Sequence, residues 1–547
     1  MNLAFLTRHD GDALFKAVDG SMIDVMTRSR TVSPLLRTAS LAVTLLGLSQ
    51  GAQARGFYLD SSRPDNSGDG RTPQTAWKDF GGMSDVRLAP GDTFYLERGS
   101  VWTDVRGFLP QVGTKSEPFV VTAHGDPAKP LPKIVSSDSN YALGLAASHL
   151  VLEKLAISGN NAKCIVNATG RITDITLQEL EISDCREGIN LTVVDSVLVR
   201  NNKFSNIRFG KDRVGAIGIT LSIAAHARIL DNEFRDCIDG KGATEGGGAI
   251  HLFRYNRDIE IAGNRALRTA GFLKLWGLHG DLDSMAGVYV HHNIAMETQH
   301  FAWSDAQTPQ DDPAEWAVAF RDVFFDHNTM IQNHRSGRFA IGVSTPLSDS
   351  TRMRVRDNLF TGDSLMEFLH EGPFSRGTNL FWSSEAGSNH PSPRLATDFV
   401  VDPLLIPDTA TISYSLGETS PAKRAGALYA YPGSTVARWT PPSASAHPDL
   451  GALDAPVSTL AASLPKRSAL KARHTANGIV VEGIPANQAT PRFLASTTDG
   501  RILSITSAES TQGAWRLAFA ALPTGTPVFL RIQSSTREET LVLVNTR

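Results

Sequence analysis

The chain has 547 residues, of which 41% are hydrophobic and 20% charged, with a formal net charge of −3. That apolar share excludes a wholly disordered chain, and the near-neutral charge lacks the basic excess of a general nucleic-acid binder. Three cysteines, Cys164, Cys185 and Cys237, are too few for a disulfide scaffold and leave at least one unpaired within the chain.

From the N-terminus, Ala39–Leu48 is a short apolar run preceded by Arg28, Arg30 and Arg37 and followed by Ala52-Gln53-Ala54. This has the order of a secretory signal with a small-residue cleavage site. Counted from Met1 the signal is too long and contains four aspartates, whereas counted from Met26 it has ordinary proportions. Residues 1–54 are therefore predicted to be a signal region read from Met26. The mature chain begins near Arg55 and is exported to the periplasm or the medium. No later stretch approaches ~18 consecutive apolar residues, so no membrane span is expected in it.

The middle of the chain repeats. The segments 196–204, 227–234, 258–266, 287–295, 322–330 and 353–360 each carry a short β-branched or apolar strand followed by an asparagine. Asn202, Asn232, Asn264, Asn293, Asn328 and Asn358 are spaced by 30, 32, 29, 35 and 30 residues. The alternation has period two, so the segments are strands. A strand–turn unit of this length, stacked coil on coil, predicts a parallel β-helix, with the asparagines in left-handed turns. A β-propeller needs longer units.

A second strand set lies between the first: 187–192, 215–220, 248–253, 271–276, 339–344 and 365–369. The inward pairs are Ile189/Leu191, Ile217/Ile219, Ile250/Leu252, Leu273/Leu275, Ile341/Val343 and Met366/Phe368. The residue between each pair then points outward, in the column Asn190, Gly218, His251, Lys274, a coil near Ala302, Gly342 and Glu367. Adjacent coils stack at ~4.8 Å, so His251 and Lys274 are expected side by side on an exposed sheet. Two positions on, Phe253 and Trp276 form an aromatic pair suited to stacking on sugar rings.

The segments 56–80 and 88–100 resemble the N-terminal cap of secreted right-handed β-helix proteins of the pectate lyase-like superfamily. Residues 402–405, 415–427 and 448–452 are similar to the coil that closes such domains. The resemblance spans about 56–454 and implies an all-β fold and a polysaccharide-active protein, with no subfamily singled out. The DPHD signature of mannuronan epimerases is absent, as is the Asn-Lys-Ser stretch of alginate lyase and chondroitinase B relatives.

The predicted domains are thus 1–54, a β-helix with its cap over 55–454, a linker over 455–465, and 466–547. The last carries alternating runs at 478–483, 501–506, 515–522, 527–533 and 540–544, which predict a small β-sandwich-like domain.

The chemistry expected on this scaffold is β-elimination from an acidic polysaccharide. A lyase must neutralise the uronate carboxylate, remove the C5 proton and release the 4-linked oxygen. Lys274 is read as base or carboxylate partner, His251 as base or acid, and Arg254 as carboxylate clamp. Phe253, Trp276, His279, His300 and Trp303 are read as substrate-binding. Asp281, Asp283, Asp239 and Glu245 are oxygen donors that would suit Ca²⁺, against the alternative of ordinary solvated loops. Other readings are a glycoside hydrolase using acids of the 299–318 loop, and a non-catalytic polysaccharide-binding surface protein. The expected partner is an acidic polysaccharide rather than nucleic acid, bound by a monomer.

Overall fold

The computed structural model describes residues 54–383, 395–426, 449–452 and eight strands between Lys471 and Val544, apart from short connections within the first range. Those connections are 85, 104–106, 110–111, 137–139, 161, 168–169, 209–215, 239–246, 279–284, 308–319, 332–338, 344–350, 363–366 and 371–373. The signal region before residue 54 and the 455–465 linker lie outside the described residues.

The strands form three parallel faces that recur coil by coil. One coil runs Gly248–Phe253, Asn256–Ala262 and Arg265–Leu267, and the next runs Leu273–Leu278, Met285–His291 and Ile294–Met296. Each strand pairs in parallel with its counterpart one coil away. First-face and second-face strands are joined into one sheet through two 14-residue strands, Glu187–Arg200 and Ile217–Leu230. The third face is a separate 11-stranded sheet. The chain is a parallel β-helix.

Alternation decides what fills it. On the first face Ile165, Ile189, Ile219, Ile250 and Leu273 lie in register and are buried. Leu177, Val199, Ile229 and Ile261 do the same on the second. On the third, Phe204 stacks on Phe234 at 4.8 Å and Phe360 faces Phe381. Stacking like on like gives successive coils a continuous apolar interior.

The asparagines do something other than expected. The left-handed residue at each corner is the one before them: Asn201, Asp231, Gly263, His292, His327 and Asp357 all have φ between 52° and 67°. The asparagine itself is buried and points inward. Asn264 Nδ2 donates to Ile229 O at 2.8 Å and to Asn293 Oδ1 at 3.0 Å, while its Oδ1 accepts from Asn232. The ladder extends one rung beyond the repeat read from sequence, to Asn379. Each rung satisfies backbone groups that a corner would otherwise leave buried and unpaired.

Two register assignments also change. Ile219 and Leu221, rather than Ile217 and Ile219, face Ile250 and Leu252, so the column residue is Thr220 and not Gly218. In the last coil Leu369 stands opposite Ile341, which puts His370 rather than Glu367 in the column. A one-residue slip exchanges the two faces of a strand, and a two-residue slip moves its column along the face.

Cys164 and Cys185 form a disulfide with a Cα–Cα distance of 5.8 Å, and Cys237 is a buried free thiol. A hairpin of Leu405–Asp408 and Ser413–Leu416 follows the last coils. The C-terminal region contains two four-stranded antiparallel sheets, built from Lys471–Thr475, Gly478–Glu482, Ile505–Thr511 and Ala514–Phe519, and from Arg492–Thr497, Ile502–Leu503, Pro527–Gln533 and Glu538–Val544. Among the described residues no helix is long and apolar enough to cross a membrane.

Candidate functional site

The first face brings the central residues together. Thr220, His251, Lys274 and Trp303 occupy one register column on four successive coils, and Ser222, Phe253 and Trp276 occupy the next. Trp303, left uncertain by sequence at Ala302, is the column residue of its coil. Because Ile250, Leu252, Leu273 and Leu275 fill the interior, His251 and Lys274 must project from the opposite side of their strands.

They project outward without being exposed, which corrects the expectation of a solvated face. Lys274 is 4% exposed and His251 8%. The Lys274 ammonium lies 3.9 Å from the Trp276 ring centre and 4.4 Å from that of Trp303, held between two indoles. Cation–π attraction of this kind holds the ammonium in place. Phe253 and Trp276 are half-buried and meet edge to face at 5.7 Å. Arg254, just past its strand in a left-handed conformation, lays its guanidinium 4.8 Å from the Phe253 ring centre.

His300 completes the group. Its ring meets Trp303 edge to face at 5.6 Å and presses on the backbone of Gly271, where a Cβ would stand 2.1 Å from Nε2. Only glycine leaves that space. Burial, then the Lys274 charge, push the His251 imidazole down to about 3, against a contact with the Gly247 backbone and together with a smaller effect of His300. The ring is therefore neutral at ordinary pH.

Unsatisfied polar atoms mark this place independently. Thr220 Oγ1, His251 Nε2, Arg254 Nε and Trp276 Nε1 are buried with no hydrogen-bond partner among the described residues. They lie on three adjacent coils of one face. A buried polar group without a partner costs roughly 1–3 kcal/mol, so such a cluster is what a ligand or solvent is expected to complete. Among the described residues Arg254 forms no ion pair, and its guanidinium lies against the Phe253 ring.

Several expected site residues fall elsewhere. His279, Asp281, Asp283, Asp239 and Glu245 lie outside the described residues, as do Asp311, Asp312 and Glu315 of the 299–318 loop. Among the described residues no group of three or more His, Cys, Asp or Glu is arranged to hold a metal ion. Sequence reasoning missed Thr220, Gly271 and the buried Glu187. The signal for Thr220 was present, since Ile217, Ile219 and Leu221 offer two possible phases and only coil length chooses between them.

The family model described as "right handed beta helix region" matches residues 139–310. No curated protein matches the sequence. Among solved structures the chain is similar to pectate lyase Pel9A, at 13% identity over 73% of this chain and 96% of that one, with a TM-score of 0.45. It is also similar to an alginate lyase from Paenibacillus sp., at 14% identity over 54% and 95%, TM-score 0.40. A third is a lacto-N-biosidase from Eubacterium ramulus, at 14% identity over 64% and 67%, TM-score 0.41. The matched segment contains the strands that carry His251 and Lys274, and with the parallel three-faced topology it makes the chain a right-handed parallel β-helix protein.

Proposed function

We propose that the protein is an exported polysaccharide lyase that cleaves a uronate-containing chain by β-elimination on the first face. The observation that carries this reading is the juxtaposition of a neutral imidazole, an ammonium caged by indoles and an arginine on one face.

In this reading Arg254 binds the uronate carboxylate, and Lys274 is the fixed positive charge that stabilises the enolate-like carbanion formed when C5 loses its proton. The indoles on either side fix the ammonium in place, which suits it to that role. His251 is the base. With its ring proton on Nδ1, Nε2 presents a lone pair with no competing hydrogen bond. Its low basicity belongs to the empty site, and a bound carboxylate would raise it, because a nearby anion favours imidazolium. The C5–H electrons become the C4=C5 double bond, the C4–O4 bond breaks, and the proton taken by His251 is available to the departing oxygen. Trp276, Trp303 and Phe253 offer ring faces and edges for the sugars on either side.

Export is supported by the signal-like N-terminus and by the Cys164–Cys185 disulfide, a bond kept mainly in oxidising compartments. The test is incubation of the purified protein with uronate polymers. Expected is the ultraviolet absorbance of an unsaturated uronate, rising in step with new reducing ends. New reducing ends without that absorbance would replace the lyase with a hydrolase.

A further inference from the structure

The first face changes character along the helix axis. N-terminal to His251, Lys163 and Glu187 are register partners, with Asn190 and Thr220 in the neighbouring column. Lys163 Nζ lies 3.1 Å from Glu187 Oε1, and the Asn190 amide donates to Glu187 Oε2. Glu187 is 4% exposed, while Lys163 and Asn190 are partly exposed. The cation at this end is thus neutralised by a buried carboxylate from the neighbouring coil. What it presents to a ligand is a polar surface with no net charge. Two coils on, about 10 Å along the axis at ~4.8 Å per coil and three residues further along the strand, stands His251, with Arg254 on the same coil and Lys274 on the next.

A polymer carrying a carboxylate on every sugar would place one of them over Glu187. There its charge would meet a like charge whose counterion is already engaged, in a poorly hydrated setting where such repulsion is strong. A neutral sugar at the same position has hydroxyl or amide donors for the Glu187 and Asn190 oxygens and acceptors for Lys163 and the Asn190 amide.

We infer that the substrate is a heteropolysaccharide in which uronates alternate with neutral sugars, rather than a homopolyuronate. This rests on the lyase reading and adds to it which polymer the groove accepts.

The test uses the full chain carrying His251→Ala, which keeps the groove without turnover, and measures equilibrium binding to four polymers. Polygalacturonate and alginate carry a uronate at every position, whereas hyaluronan and unsulfated chondroitin alternate uronate with N-acetylhexosamine. The expected result is that at least one alternating polymer binds about tenfold or more tightly than either homopolymer. Adding Glu187→Gln should release the Lys163 charge and narrow that gap. Asn190→Lys, at a half-buried position, should narrow it in the same direction if the Glu187 variant fails to fold. Homopolyuronates bound as well as or better than both alternating polymers would overturn this inference and leave the lyase reading intact. A folded protein that neither binds nor cleaves any of the four would remove both.

Discussion

Two sets of buried histidines lie on this helix, in opposite surroundings. His251 and His300 sit on the first face. His291, His292 and His327 sit at the corner between the second and third faces and are as deeply buried. At the corner every ring is held. His291 approaches His292 at 2.9 Å between Nδ1 atoms and Glu260 at 3.2 Å, and His292 stacks on His327 at 5.0 Å. His327 lies 3.7 Å from Asp357 and against the backbone of Asp449 and Gly451. Residues 449–452 close over the corner, with Gly451 N donating to Asp357 O at 2.8 Å and Ala452 N to Thr329 Oγ1 at 3.0 Å. Burial pushes His251, His292 and His327 all downward, so a depressed histidine does not by itself mark a site. What separates the sets is their neighbours: His251 stands beside the Lys274 ammonium, its indoles and Arg254, whereas the corner rings meet the Glu260 and Asp357 carboxylates.

The comparison is broken most directly by exchanging the roles of the two sets. His251→Ala is expected to lower turnover by about 100-fold or more with little change in Tm. His327→Ala should do the reverse, lowering stability by about 2–4 kcal/mol while the surviving folded enzyme keeps its kcat. Turnover assays beside thermal melts decide this, and equal damage to both properties by both variants would erase the distinction.

A smaller effect, and a sharper test of the corner, is loss of an asparagine rung. Asn264→Ala leaves the Ile229 carbonyl and the Asn232 amides without their partner and should cost about 2–3 kcal/mol in urea unfolding. Folding of the variant with unchanged stability would show that solvent replaces the rung.

Acid sensitivity comes next. His251, His292 and His327 are neutral when folded and take up protons on unfolding below their ordinary value of 6.5. Stability is therefore held above about pH 6.5 and declines as pH falls toward about 3, where burial has pushed folded His251 and His327, each ring contributing about tenfold per pH unit to the unfolding equilibrium. His327→Gln should flatten the slope of stability between about pH 6.5 and 4.5 by one proton. An unchanged slope would show that His327 does not titrate with unfolding. The smallest effect belongs to the exposed Arg352–Asp322 pair on the second face, where Arg352→Ala should leave Tm within error.

Part of the site was legible before any coordinates. Period-two alternation in GAIHLF and GFLKLW, together with the coil-to-coil repeat, is enough to set His251 beside Lys274, because a strand offers only two directions for each side chain. The signal weakened wherever alternation had more than one solution. Ile217, Ile219 and Leu221 are equivalent in pattern, so Thr220 was passed over for Gly218, and the last coil slipped by three, from Glu367 to His370. The asparagines were located correctly and given the wrong task, since a corner asparagine satisfies a left-handed turn and an inward hydrogen bond equally well on paper.

From its amino acids alone the chain determines the parallel coil, its inward aliphatics and the neighbourhood of an imidazole and an ammonium, because these follow from local alternation repeated at a nearly constant interval. Only the tertiary structure decides that Lys274 is clasped by two indoles, that Gly271 gives way to His300, that Glu187 neutralises Lys163, and that one histidine set meets carboxylates while the other stands among cations and indoles. Each of these depends on which residues from different coils meet across the stack, and that meeting is set by coil lengths and turns whose contributions add up over the whole helix.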